Sequence, residues 1–178
     1  MSSRTYLAAL VALAPVPIVV AADYLSVEQA QHELFPQAER FEQLALVLTA
    51  QQKALVAERA GPQPPHRSLR VWRALRGGAL LGYVFVDEVI GRQDFITYAT
   101  GVDATGTLRP VEILAYRESH GGEIRDGGWR DQFAGRHSLD QLRFARDIKN
   151  IAGATLSCEH VTQGVRWLLA LWEVGLRT

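Results

Sequence analysis

Cysteine is nearly missing from this chain: Cys158 is the single one in 178 residues. One thiol cannot build an internal disulfide framework. The fold must be held by an apolar core, and a hydrophobic content of 48% is enough to form one. Cys-x-x-Cys-His does not occur, which excludes c-type haem attachment. An excess of either charge is missing too, with 19 basic residues against 19 acidic ones. Without a basic field nothing argues for nucleic acid as a partner. There is no Gly-x-Ser-x-Gly nucleophile elbow and no Gly-x-Gly-x-x-Gly dinucleotide fingerprint. His120 and His160 stand far apart, with no companion ligands at metal spacing, so no metal site is expected. No internal repeat or low-complexity tract appears, and the length suggests one domain.

The first residues form a separate unit. Arg4 precedes an apolar run over 6–20, and Ala21 and Ala22 follow. A positive start, an apolar centre and small exit residues make a secretory signal over 1–22, with cleavage before Asp23. The other reading is an uncleaved membrane anchor. The run is close to the ~17-residue lower limit for spanning, and Pro15 and Pro17 spoil a straight helix. Either way the remainder is extracytoplasmic, which in a bacterial cell is periplasmic. Cleavage removes Arg4 and leaves the basic residues one short of the acidic ones.

Beyond the leader, 23–70 reads as helix, strand, helix. Ser26-x-x-Gln29 is a capping box opening a helix to about Phe35, and Pro36 ends it. Leu44, Leu46 and Leu48 alternate within 41–48, which predicts a strand with one buried face. Thr49-x-x-Gln52 is a second capping box, and its helix runs to Gly61. The residues 62–65 read as an extended loop. Strands then dominate. Those at 71–75 and 80–89 flank a turn at Arg76-Gly77-Gly78; those at 95–102 and 108–116 flank a turn at 103–106. They predict one antiparallel sheet. Residues 118–135 form a glycine-rich loop, with one helical turn at 129–133. Val161, Val165, Leu168, Leu169 and Trp172 recur at helical spacing, so the closing helix at 160–174 packs one face on the sheet. Asp87 and Glu88 read as a charge pair at a strand edge. The fold class is α+β: a twisted, mainly antiparallel sheet packed by helices. The domain proper is 71–178, forming one compact unit with 23–70.

The most informative stretch is Ala152-Gly153-Ala154-Thr155, a small-residue turn opening onto the closing helix. Unpaired N–H groups at a helix start carry partial positive charge and favour a phosphate. The Thr155 oxygen at that point can carry a phosphate ester. The plain alternative is a turn and a cap, although Thr155 and Ser157 both bear hydroxyls and a cap needs only one. Upstream, Glu118-Ser119-His120-Gly121-Gly122 lets a backbone fold closely over a planar ring. Glu118 there can bond a neighbouring loop or the ring's edge. Trp129 and Phe133 read as core, Cys158 as a small buried residue, and His160 as a minor electrostatic partner of the phosphate.

Three motifs stand in a set order: Glu118-Ser119-His120-Gly121-Gly122, then Trp129-x-x-Gln132-Phe133-x-Gly135, then Gly153-Ala154-Thr155. Together with the strand pair around Gly82-Tyr83, 89–91 and 96–98, they resemble the FMN-binding domain family over 71–174. That family includes flavin-carrying subunits of sodium-pumping NADH:quinone reductase and of Rnf-type complexes, and small exported proteins. The resemblance implies FMN joined by a phosphoester to Thr155, installed by a dedicated flavin transferase. Gly153, Ala154, Leu156 and Ser157 then hold the phosphate end, and Glu118, Ser119, Gly121 and Gly122 wall the ring. It also implies electron carriage to or from a membrane electron-transfer protein rather than turnover of the protein's own substrate. Two departures stand out. Ala152 replaces the family's usual Ser/Thr, and Lys149 occupies a place often acidic, with Asp147 two residues further upstream. A cofactor-free binding module of the same fold and a stand-alone flavin-dependent reductase remain as alternative readings.

Overall fold

The computed structural model describes residues 22–62 and 68–177. The leader at 1–21 and most of the loop expected at 62–65 lie outside the described residues. The fold is α+β. Five antiparallel strands, β2 Arg40–Leu44, β3 Arg70–Arg76, β4 Ala79–Ile90, β5 Phe95–Asp103 and β6 Leu108–Tyr116, form one sheet with a two-residue strand, β1 Ala22–Asp23, at its edge. The order is β1-β6-β5-β4-β3-β2. From β3 to β6 the chain is a meander of hairpins, with a turn at the expected 103–106 and another at Gly77-Gly78, within the expected 76–78, Arg76 itself closing β3.

Both helices with a sequence-readable start form as the capping boxes dictate. Helix α1, Val27–Leu34, has Ser26 accepting from Gln29 N–H while the Gln29 side chain returns to Ser26 N–H. Helix α2, Ala50–Ala60, repeats this with Thr49 and Gln52 and ends at Gly61. Each box occupies two donors that a helix start otherwise leaves open.

Strand alternation divides the apolar residues between two faces. Val84 and Val86 of β4 join Ala30, Leu34 and Phe35 of the α1 region on one face. A four-residue helix, α3 Gly127–Arg130, follows the sheet, and Tyr83, Phe85 and Val89 join the opposite, larger core beneath the closing helix α4, Thr155–Gly175. The predicted stripe of α4, Val161 to Trp172, is buried there. At about 1.5–3 kcal/mol for each large apolar side chain removed from water, this stripe is the main force docking the helix. A second side of α4 is covered as well: α2 packs against it, and Trp167 and Leu171 are buried. The helix is therefore buried on two sides rather than one.

Three sequence expectations are corrected. Strand β2 ends at Leu44, paired with Val71, because its partner β3 extends only one residue further, to Arg70, and cannot pair a strand running to 48. Leu46 and Leu48 still pack on the large core, without a ladder. The closing helix begins at Thr155, five residues before the apolar stripe suggested. Asp87 and Glu88 stand just past the last β3–β4 pair, Arg70–Val86, where β4 is paired with β5 alone, yet they are not exposed charges, because Asp87 shares the face of Phe85 and Val89 beneath α4. Asp87 is fully buried and accepts from the Tyr98 hydroxyl at 3.1 Å, while Glu88 accepts from Thr97 at 3.3 Å.

Candidate functional site

Three chain segments meet at one end of the sheet. Ile96 pairs with both Val89 and Tyr116, so the β4–β5 turn and the exit of β6 share that end. Two bonds bring the start of α4 to the same place. The His160 ring Nδ1 lies 2.6 Å from the Ile90 carbonyl, which can only accept, so Nδ1 carries the proton. The Tyr116 hydroxyl donates to the His120 carbonyl at 2.6 Å and lies 3.2 Å from Ser157 Oγ. With its one proton committed, Tyr116 accepts from Ser157. Burial pushes the Tyr116 hydroxyl above its ordinary range, so it remains a neutral link between the loop after β6 and the helix.

Between these segments lies a cleft of about 410 Å3. That volume falls within the range of small-molecule sites, roughly 300–1,000 Å3. Seven of the residues singled out from sequence line it: Glu118, Ser119, Gly153, Ala154, Thr155, Leu156 and Ser157. Gly121 and Gly122 stand outside the lining. Gly121 adopts φ 83°, and a Cβ there would come within 2.7 Å of the Tyr116 hydroxyl and 2.8 Å of Ala154 Cβ. Its role is to let the loop press against the Gly-Ala-Thr turn from behind. Gly122 opens a short 3-10 turn whose carbonyl accepts from Arg125. Sequence reasoning missed Arg92 and Gln93, which line the cleft from the β4–β5 turn, and gave His120 no individual role although it lay within the expected 118–122 wall. The only local signal was a cation beside a turn glycine; the hairpin pairing is what aims it.

Glu118 bonds the neighbouring loop. Its Oε1 accepts from Gln93 N–H at 2.6 Å and Asp94 N–H at 3.0 Å, fastening the turn that carries Arg92. Glu118→Ala leaves both donors to water and is expected to lower stability by about 1–2 kcal/mol. Glu118→Gln keeps the acceptor oxygen and should lose less. Thermal unfolding of the two variants checks the ranking; equal melting temperatures for Ala and wild type would remove this role.

The start of α4 differs from those of α1 and α2, which carry capping boxes. Ala154 occupies the cap position at φ −117° and ψ 20°, and no side chain caps the helix. Thr155 is the first helical residue, exposed, and its hydroxyl is not spent on capping. Ser157 is buried and engaged with Tyr116. The turn before the helix is supported from the core. Trp129 packs edge-on to Phe133 with ring centroids 5.2 Å apart, and both are buried as expected. Trp129 Nε1 donates to the Lys149 carbonyl at 2.9 Å, and Gln132 Oε1 accepts from Lys149 N–H at 2.8 Å. Both backbone groups of Lys149 are thereby held. Asn150, next in the chain, donates from Nδ2 to Thr155 Oγ1 at 3.0 Å.

The remaining sequence candidates fall elsewhere. His160 is turned to the Ile90 carbonyl and does not line the cleft, so it is no partner of a phosphate there. Asp147 accepts from Arg143 N–H and Nε at 3.1 and 2.9 Å, and this hydrogen bonding holds its carboxyl below the usual range. Cys158 is fully buried, and burial pushes its thiol up, which fits a packing residue. Among the described residues no group of three or more His, Cys, Asp and Glu is placed to hold a metal ion.

Residues 91–170 match the family model of the FMN-binding domain. This stretch belongs to the FMN-binding domain family. No curated protein matches the chain significantly. The FMN-binding domain so matched begins at the β4–β5 turn and ends within α4, and it contains every residue lining the cleft. Strands β2 to β4 and helices α1 and α2 lie before it, yet they complete its sheet and cover both faces. The family binds flavin, and the cleft suits it: an uncapped helix start and Arg92 for a phosphate, and a walled volume beside them.

Proposed function

We propose that this protein carries FMN through a phosphoester to Thr155 and passes electrons to or from a membrane redox partner outside the cytoplasm. The observation that carries the reading is the state of Thr155. It opens a 21-residue helix that no side chain caps, and it borders the cleft with its hydroxyl free of any capping duty. Bound FMN supplies one- or two-electron carriage. The protein's part is to hold and shield. The open N–H groups of the first turn favour a phosphate by about 0.3–1 kcal/mol when exposed. Arg92 lines the same cleft and adds a cation for the remaining phosphate charge. Ser119, His120 and Glu118 form the opposing wall, and Gly121, Tyr116 and Ser157 keep that wall against the helix.

A tether suits an exported carrier, since a flavin held only by weak contacts would be lost to an open compartment. The leader pattern over 1–22 supports export, and a flavin transferase is then needed on the same side. Among the described residues no helix is long and apolar enough to cross a membrane. Contact with a membrane partner would therefore be made by the folded surface or by the leader.

The test is purification of the full chain from a host that exports it and contains the transferase. The expected material is yellow, with one flavin per chain that stays attached through denaturation. Its mass exceeds that of the polypeptide by FMN less one water. Flavin released on denaturation would remove the ester and leave non-covalent binding; colourless protein would favour the cofactor-free module.

A further inference from the structure

We infer that Asn150 is the positioning residue that presents the Thr155 hydroxyl for esterification. The inference rests on the reading just given and deepens it. Asn150 Nδ2 donates to Thr155 Oγ1 at 3.0 Å, across the turn that opens α4. Both residues are exposed, so burial does not force the contact. The peptide before Asn150 is fixed from below, with Trp129 Nε1 on the Lys149 carbonyl and Gln132 Oε1 on the Lys149 N–H. Trp129 in turn is seated in the core against Phe133. A chain of directed bonds thus runs from the core to one surface hydroxyl. Gln132 and Trp129 hold a backbone unit, that unit sets where Asn150 stands, and Asn150 sets where Thr155 Oγ1 points.

An exposed threonine without such a partner distributes its hydroxyl among staggered wells. An amide N–H on one lone pair selects a single well. It leaves the O–H and the second lone pair for reaction. Ester formation in water requires an activated phosphate, so the donor is a flavin nucleotide anhydride such as FAD. Thr155 Oγ1 bonds to the phosphorus on the flavin side. The P–O bond to the second nucleotide breaks, and that mononucleotide leaves with the electron pair. The hydroxyl proton passes to a base of the transferase. Asn150 keeps the same donor role on the oxygen throughout and is neither the acid nor the base. The gain is orientation, which acts on the chemical step rather than on docking of the two proteins.

The experiment uses the full chain, purified without flavin, with FAD and purified transferase. Initial rates are followed against protein concentration for wild type, Asn150→Ala and Trp129→Phe, which keeps a ring and removes Nε1–H. For Asn150→Ala the expected result is a kcat lowered roughly three- to tenfold, starting from three available wells. KM and melting temperature should match wild type. Trp129→Phe should lower kcat in the same direction, with some loss of melting temperature from the smaller ring. An Asn150→Ala protein with wild-type kcat overturns the inference. So does one whose lower rate appears only in KM or tracks a lower melting temperature. A wild type that accepts no flavin overturns both this inference and the reading beneath it, whereas a modified wild type with an unaffected Asn150→Ala overturns this one alone.

Discussion

Thr155→Ala is expected to leave no flavin on the chain after denaturation, an all-or-none loss. The reason is chemical rather than structural. The substitution removes the one oxygen that can form the ester while keeping a residue suited to the first turn of a helix. Thr155 caps nothing in α4, so stability should scarcely change. Its loss of a hydrogen bond from Asn150 is at the surface, where water replaces it. Thr155→Ser keeps the oxygen and should retain the tether, formed more slowly because serine holds its rotamer less firmly. Ser157→Ala is the instructive control. Ser157 is two residues away and carries the same functional group, but it is buried and bonded to Tyr116. That variant should keep its flavin and lose some stability. Mass spectrometry of the denatured proteins reads all three. Covalent flavin on Thr155→Ala would transfer the attachment to another residue.

Gly164→Ala should damage the scaffold despite its small size. On an exposed helix face this change stabilises by about 1 kcal/mol, through helix propensity. Here the added methyl would run into the Tyr98 hydroxyl and approach Val89 Cγ1 at 3.1 Å. Tyr98 cannot swing away freely, because it is fully buried and its hydroxyl is bonded to Asp87. Overpacking costs about 1–3 kcal/mol, and disturbing a buried polar pair adds about 1–3 more. The clash therefore outweighs the propensity gain, and a net loss of roughly 2–4 kcal/mol is expected. At roughly 2–4 °C for each kcal/mol in a chain of this size, the melting temperature should fall by about 4–16 °C. Tyr98→Phe removes the oxygen that the methyl would meet. In that background Gly164→Ala should cost less, giving a coupling term in a double-mutant cycle. An unchanged or raised melting temperature for Gly164→Ala alone would refute the close approach of α4 to β4 and β5.

What could be read without coordinates was local in its physics. Two capping boxes predicted two helix starts because the box is closed by residues three apart. Turn residues at 76–78 and 103–106 predicted two hairpins because turn chemistry is set by adjacent dihedrals. The stripe in α4 was legible because one face of a helix meets a large core. The same stripe misplaced the start of that helix. Its first turn contributes Thr155, Leu156 and Glu159 to the exposed side, so no apolar period marks it. Asp87 misled for a related reason. A carboxylate suggests water, and only the packing of α4 over that face of β4 and β5 puts it inside, facing a tyrosine hydroxyl eleven residues away.

The order of motifs pointed to a flavin site, and the family match covers it. By itself the sequence determined which elements form, which faces are apolar, and which threonine follows the small-residue turn. The tertiary structure alone decided what those residues face. Arg92 and Gln93 reach the cleft because Glu118 holds their turn, and Asn150 reaches Thr155 because Trp129 and Gln132 hold Lys149. The bonds from Glu118, Trp129 and Gln132 join segments separated by 17 to 25 residues, while the final Asn150–Thr155 bond spans only five. Periodicity and capping act over one turn of chain, so they carry no record of which distant donor will meet which acceptor.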